Sequence, residues 1–448
     1  MKKEDLRSYF KDICGYEREK QELMYLADIM RDPGPYRALG TRVPRNVVLV
    51  GEPGVGKTLM AECLIRASGR TAYRLRKDED DEEFVKKLCD TFDEARRTAP
   101  SAILLDDMDK YVAGLYGSST EETTIQTYID EMRDEEVFII ATINQTRGMS
   151  KSLLRAGRFD RILYIGLPDS RSAEMIIRRY FAGTKTISPE IDISDVVDIT
   201  AGMTAVEIRT LANEAGVYAG FERSGYITMD HIIRAYVERM GNDRRDNHID
   251  DEERTRNTAC HEAGHAVMAE LLCEGSVGLA FIGRSAGTSE GFIARNRRES
   301  RIEVNQHRID ILTSLAGRAA TELVYGRPDR GSGHDISVAI ERIYSEITGL
   351  CADGLHLATG EKCLREPMSD SRKDLIDRMV RDRLKEYYAE ALDILRSNRA
   401  FLDSVAMELE EKGWLLGRDI RRIREGLGYR PMEPSYGTVK DKMEDKTA

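Results

Sequence analysis

One short loop decides most of what the first third of this chain can become. Gly51-Glu52-Pro53-Gly54-Val55-Gly56-Lys57-Thr58 fits the pattern G-x-x-x-x-G-K-[ST], with an apolar run at 47–50 before it and a helical pattern from Leu59 behind it. Glycines in such a loop let successive backbone N–H groups turn towards phosphate oxygens, and the following helix N-terminus adds partial positive charge. Lys57 is expected to reach the β- and γ-phosphates of ATP, and the Thr58 hydroxyl to ligate Mg²⁺. Residues Gly51 to Leu59 are thus the expected nucleotide contacts. A loop of this kind needs a buried parallel sheet beneath it. Further β-rich runs at 102–105, 137–142 and 162–165 are separated by helical patterns, which is the signature of βαβ units. After Pro168 the strand signal stops, and 170–181, 204–223 and 228–240 read as helices, with Thr204 and Glu207 at capping-box spacing.

Phosphate chemistry also needs a carboxylate near Mg²⁺ at the end of a neighbouring strand. Ala102-Ile-Leu-Leu-Asp106-Asp107 supplies one, with Asp106 expected on the metal and Asp107 expected to polarise the attacking water. Asn144 ends another strand, where its amide could orient that water. Arg158 and Arg161 sit in an arginine-rich stretch that also contains Gly157 and Phe159. A guanidinium there could neutralise charge on the transferred phosphoryl group, supplied by a neighbouring subunit; structural ion pairs are the alternative.

A second constellation lies far downstream. Cys260-His261-Glu262-Ala-Gly-His265 matches H-E-x-x-H on a helical pattern. Residues four apart lie on one helix face, so both imidazoles can share a Zn²⁺, with Glu262 placed to take a proton from water. The chain holds only seven histidines, and chance predicts on the order of 0.01 such matches. Zinc needs a third protein ligand. His307, His334, Asp335 and His356 are downstream candidates, and Gly331-Ser-Gly-His334-Asp335 is the most telling, although spacing does not choose between its two donors. His231, His248 and His307 have no metal-ligand spacing and read as ordinary structure.

Composition narrows the class. The chain has 448 residues, 68 Lys plus Arg against 79 Asp plus Glu, and a formal net charge of −11. That length suggests two or three domains, and the acidic balance argues against a nucleic-acid partner. No stretch approaches the roughly 18 apolar residues of a membrane span, so no membrane insertion is expected. The seven cysteines are scattered without C-x-x-C spacing, which points to a reducing, cytoplasmic setting. The acidic run 77–83 reads as a solvated loop, 241–251 as a polar linker, and the stretch after Tyr429 as a fraying tail.

Taken in this order, the motifs resemble the FtsH family of AAA+ zinc proteases over roughly residues 9–427. The similarity also takes in the segment 13–23, Ala201-Gly-Met-Thr-Ala-Val-Glu-Ile, Gly291-Phe-Ile, Leu315-Ala-Gly-Arg-Ala-Ala320 and Gly333-His-Asp-Ile336. The resemblance implies an α/β AAA+ core with a parallel sheet at 1–166, a helical lid at 167–241, a linker at 242–250, a mainly α-helical zinc peptidase domain at 251–428 and a tail at 429–448. It favours Asp335 as the third zinc ligand, with His261 and His265. It makes Asn144 a sensor and Arg158 and Arg161 fingers across a subunit boundary, and it implies a homo-oligomer, a hexameric ring, that feeds polypeptide substrates to the zinc sites. The segment from Gly291 is expected to pair with an extended substrate strand. The chain departs from the family by lacking N-terminal membrane spans, by carrying Asp107 where a Glu is usual, and by an acidic run at 78–83 in place of an aromatic pore loop. Those departures raise an alternative, a zinc peptidase whose slow ATPase serves assembly or regulation. A non-proteolytic AAA+ remodelling protein is a third reading, opposed by the intact H-E-x-x-H.

Overall fold

The computed structural model of the protein describes residues 6–40, 44, 46–77, 81–112, 119–146, 150, 152–154, 157–182, 187–239, 252–283, 291–296, 304–327, 331–351 and 369–432. The chain divides into two compact units, one formed by Met1–Ser188 with Gly202–Ile227, the other by Pro189–Ala201 with Thr228–Ala448. The stretch that the sequence reading gives to a helical lid is therefore shared between the two.

The first unit is built on a parallel sheet of β1 (Asn46–Val50), β2 (Thr71–Leu75), β3 (Ser101–Leu105), β4 (Val137–Ile143) and β5 (Arg161–Tyr164), in the spatial order β2-β3-β4-β1-β5. Every residue of β1, β3 and β4 is buried. A parallel strand covered on both faces has no solvent side, so it reads as a continuous apolar run, and these were the runs visible in the sequence. The edge strand β2, Thr-Ala-Tyr-Arg-Leu, buries only Leu75, which explains why no apolar run announced it. Register pairs Val50 with Ile143 and Leu105 with Ala141, so the carboxyl ends of β1, β3 and β4 share one edge of the sheet. In open α/β sheets, that edge is where ligands bind.

Helix α1 (Lys57–Ser68) follows the glycine loop, and α2 (Asp81–Arg97) follows β2. The acidic run differs from the expected loop: residues 81–83 open α2, where negative charge suits the helix N-terminus, while 78–80 lie outside the described residues. Phe84 just behind is fully buried, its ring 4.9 Å from that of Tyr111, and so belongs to the core. Helix α3 (Ala205–Phe221) begins with the expected capping box. The Thr204 hydroxyl accepts from Glu207 N at 3.3 Å, and Glu207 Oε2 accepts from Thr204 N at 2.8 Å.

The second unit contains α4 (Glu252–Leu272), α5 (Val304–Tyr325), α6 (Ser332–Thr348), α7 (Asp370–Ser397) and α8 (Arg399–Lys412), with a small antiparallel sheet packed against α4 and α8. Its strands are β6 (Val277–Phe281), β7 (Phe292–Arg295) and β8 (Trp414–Leu416), in the order β7-β6-β8. Strand β8 is too short to show in a helical stretch of sequence; Gly413, at φ 82°, ends α8 and starts it. From Ala259 to Leu271 every residue of α4 is buried. A helix enclosed on all sides needs close neighbours, and small residues provide them. A Cβ added at Gly264 would stand 2.5 Å from Ala316 O and 2.6 Å from Ala320 Cβ. The expected linker, 241–251, falls outside the described residues, as does the expected tail from 433 onward; its first residues, 429–432, are described, with Met432 N donating to Leu271 O at 2.8 Å. Among the described residues, no helix is long and apolar enough to cross a membrane, and the six cysteines are all free.

The crossing of α4 and α5 gives a direct test. Alanine is favoured over glycine in a helix by up to about 1 kcal/mol. Overpacking at a rigid backbone contact costs about 1–3 kcal/mol. The second effect wins at 2.5 Å, so Gly264→Ala should lower the thermal unfolding midpoint; an unchanged or higher midpoint would show that the helices part freely.

Candidate functional site

The phosphate loop leaves β1 with Gly51, whose N–H is spent on Ile143 O at 3.2 Å and whose missing side chain leaves room for Ile165 O. Gly54 and Gly56 then take φ of 88° and 104°, a region L side chains rarely adopt. Lys57 Nζ folds back over this turn and donates to Gly51 O at 2.7 Å, Glu52 O at 2.9 Å and Asn144 Oδ1 at 3.0 Å. Burial pushes its pKa down, and the carboxylates of Asp107, Asp109 and Asp106 oppose that shift. Glu52, Pro53, Val55 and Leu59 complete the loop and the first turn of α1, with Val55 buried. Gly54 O accepts from Val206 N at 3.2 Å, tying the loop to the start of α3.

Asp106 is 2% exposed at the end of β3, and its Oδ1 accepts from Thr58 Oγ1 at 2.9 Å and Thr142 Oγ1 at 2.8 Å. Its Oδ2 pairs with Arg74 Nη2 at 2.5 Å. Burial raises the pKa of this carboxyl, but the bonds from Thr142, Arg74 and Thr58 outweigh it and hold the group below the usual range. Asp107 has φ 53°, donates its N–H to Thr142 Oγ1 at 2.8 Å, and accepts from Lys110 Nζ at 2.7 Å. Asn144 Nδ2 donates to Asp109 Oδ2 at 3.0 Å, leaving Oδ1 turned to Lys57. The two arginines are held elsewhere in the same unit: Arg158 pairs with Asp130 at 2.8 Å and Arg161 with Glu22. Arg74, Thr142 and Asp109 were missed in the sequence. Thr142 could have been found as the polar residue near the end of an apolar strand; Arg74 sits on the strand that escaped notice.

The second unit holds the metal-type cluster. His261 and His265, 6% and 7% exposed, project from one face of α4, and Asp335 stands in the first turn of α6. Asp335 Oδ2 lies 3.0 Å from His261 Nε2 and 3.3 Å from His265 Nε2, and the two Nε2 atoms are 3.0 Å apart. Ligand atoms on a tetrahedral Zn²⁺ at about 2.1 Å stand roughly 3.4 Å from one another, so the three donors fit one zinc ion with little adjustment. His265 Nδ1 is 2.6 Å from Thr313 O, so its proton goes to that carbonyl and the Nε2 lone pair faces the cluster.

Space at the cluster is kept by glycines. A Cβ at Gly317 would fall 2.5 Å from His261 Nε2 and 2.6 Å from His265 Nε2, and one at Gly291 would fall 2.2 Å from Glu262 Cγ. A cleft of about 770 Å³ is lined by Glu262, the three candidate ligands, Gly291 and His334 among others. His307 lies on α5 outside the cluster, and His248 and His356 fall outside the described residues. Gly317 and Thr313 were not singled out as site residues, because their roles depend on how α5 crosses α4.

Known protein families match the two parts of the chain that carry these sites. The ATPase family associated with various cellular activities (AAA) matches residues 47–167, and peptidase family M41 matches residues 248–423. The chain is 29% identical to the ATP-dependent zinc metalloprotease FtsH of Caldicellulosiruptor bescii, over 92% of this chain and 71% of that protein. It is 30% identical to ATP-dependent zinc metalloprotease FtsH 3 of Symbiobacterium thermophilum, covering 98% of this chain and 74% of that one. The FtsH of Thermus thermophilus is 30% identical over 93% of this chain and 70% of its own length. Because that identity runs through the phosphate loop and the histidine helix alike, the chain belongs to the FtsH family of ATP-dependent zinc metalloproteases.

Proposed function

We propose that this protein is an ATP-dependent zinc endopeptidase that degrades polypeptides. The observation that carries the reading is the convergence of His261 Nε2, His265 Nε2 and Asp335 Oδ2 beside Glu262 in one cleft. Zinc, when bound by these three residues, supplies a Lewis acid that polarises the scissile carbonyl and acidifies water. The chain's own residues do the rest. His265 is locked by Thr313 O in the tautomer that offers Nε2, and Asp335 contributes the negative charge that a divalent cation needs. Glu262 takes a proton from the attacking water on its carboxylate and delivers it to the leaving amine nitrogen as the C–N bond breaks. The outer edge of β7, which is paired only with β6 among the described strands, accepts the extended substrate as an added strand.

At the other site, Lys57 would reach the β- and γ-phosphates of ATP, and Thr58 with Asp106 would hold Mg²⁺, which would neutralise charge on those phosphates. The 2.9 Å hydrogen bond between Thr58 and Asp106 supports a shared metal position. Asp107 and Asn144 orient the attacking water. By family likeness Arg158 and Arg161 would act at the nucleotide of a neighbouring copy in a hexameric ring, which requires them to leave Asp130 and Glu22, the ion pairs that a purely structural role expects. The free cysteines support a reducing compartment, the cytoplasm.

Replacing Glu262 with Gln removes the proton acceptor and keeps the shape, so casein cleavage should fall by about 10²–10⁴-fold with zinc content unchanged. Persistent cleavage would refute the peptidase assignment. Gly317→Ala inserts a methyl against both imidazoles; metal analysis should find zinc lost from a protein that still folds by circular dichroism. In Lys57→Ala, ATP-dependent degradation of a folded substrate should disappear while short peptides are still cut. Undiminished degradation in that variant would separate ATP from the mechanism.

A further inference from the structure

The cleft that holds the metal-type cluster has a second wall that catalysis does not use. It carries Arg295 from β7, Arg342 from α6 and Asp310 from α5. Arg295 Nη1 donates to Asp310 Oδ1 and Arg342 Nη1 to Asp310 Oδ2, each at 2.7 Å. Burial raises the Asp310 pKa, but Arg295 and Arg342 overcome this and keep the carboxyl below its usual range, so it remains charged between them. Two guanidinium groups therefore share one carboxylate. The Nε atoms of both arginines are buried, so what the cleft meets is the outer part of each guanidinium, the two side chains being 15% and 29% exposed. The remaining carboxylates that line the cleft, Glu262 and Asp335, are taken up by proton transfer and by the metal.

We propose that Arg295 and Arg342 form a specificity subsite that selects an acidic side chain, Asp or Glu, beside the peptide bond being cut. This rests on the peptidase reading above and names its substrate class. The cleft supplies the geometry: Arg295 is on the strand whose free edge takes the substrate, so a residue of an added strand lies next to it. Asp310 pins both guanidinium groups from behind, which fixes their orientation before substrate arrives. A substrate carboxylate can accept from two donors at once, and such charge-assisted pairs are stronger than neutral hydrogen bonds. A leucine at the same position offers the exposed part of the two guanidinium groups no acceptor, and a lysine adds a like charge. Asp310, like a base plate, keeps the pair of arginines from repelling each other when no substrate is bound.

The test uses the full chain with zinc. Peptides that differ only in Glu, Leu or Lys at the residues flanking the scissile bond are compared by kcat/KM. Glu should exceed Leu by about ten- to a hundredfold, and Lys should be poorest. Cut sites mapped by mass spectrometry in denatured casein should be enriched in Asp or Glu at one flanking position. Glutamine at 295 and 342 can still hydrogen-bond Asp310, so the double variant Arg295→Gln with Arg342→Gln is expected to fold and to lose the preference. In a Glu262→Gln background, fluorescence anisotropy of a labelled peptide should show the Glu form bound more tightly than the Leu form, a difference absent when both arginines are replaced. Cleavage that depends on Glu262 but shows no acidic enrichment would overturn this inference and leave the peptidase reading intact. Absence of any Glu262-dependent cleavage would overturn both. A preference that survives the double variant would overturn the assignment to these arginines.

Discussion

The close crossing of α4 and α5 is the contact on which the peptidase unit depends. Gly264 lets the backbones meet at Ala316 and Ala320, and one turn away Gly317 leaves open the volume in front of both histidine rings. The same crossing places Thr313 O on His265 Nδ1, which fixes the ring's tautomer. Fold and chemistry are thus coupled through a few absent side chains. A metal site assembled from buried donors needs such rigidity, because ligand atoms about 3 Å apart repel one another until a cation joins them.

The nucleotide site uses a different economy. Its charged groups are already paired with each other: Lys57 with loop carbonyls and Asn144, Asp106 with Thr58, Thr142 and Arg74, Asp107 with Lys110. Each pairing satisfies a group that burial alone would penalise. Arg74 occupies one oxygen of the carboxylate assigned to Mg²⁺, and Thr142 bridges Asp106 and the backbone of Asp107.

The sequence spoke clearly where a single element carries the signal. Strands β1, β3 and β4 are covered on both faces and read as apolar runs; Thr204 and Glu207 lie one turn apart and cap α3 as their spacing demands. The four-residue spacing of His261 and His265 dictates a shared face whatever surrounds the helix. Edge strands were harder. β2 mixes Thr, Tyr and Arg because one of its sides is wet, and β8 has only Trp414 to Leu416 to announce it. The acidic stretch at 81–83 looked like loop because charge density resembles solvent exposure, yet acids also suit a helix start.

What this chain's sequence determined unaided was the chemistry on offer: a phosphate loop between strand and helix, an acid pair after a buried strand, and two imidazoles with a glutamate on one helical face. Which distant residue joins those imidazoles was open from spacing, since His334 and Asp335 are neighbours. The family resemblance favoured Asp335, and the tertiary structure supplies the contact, setting the first turn of α6 so that Asp335 Oδ2 reaches both rings. Nor could spacing reveal that Arg295, Asp310 and Arg342, which come from a strand and two helices, share a wall of that cleft. Local periodicity is a property of neighbours along the chain, whereas a site made from several elements exists only after apolar burial has brought those elements together.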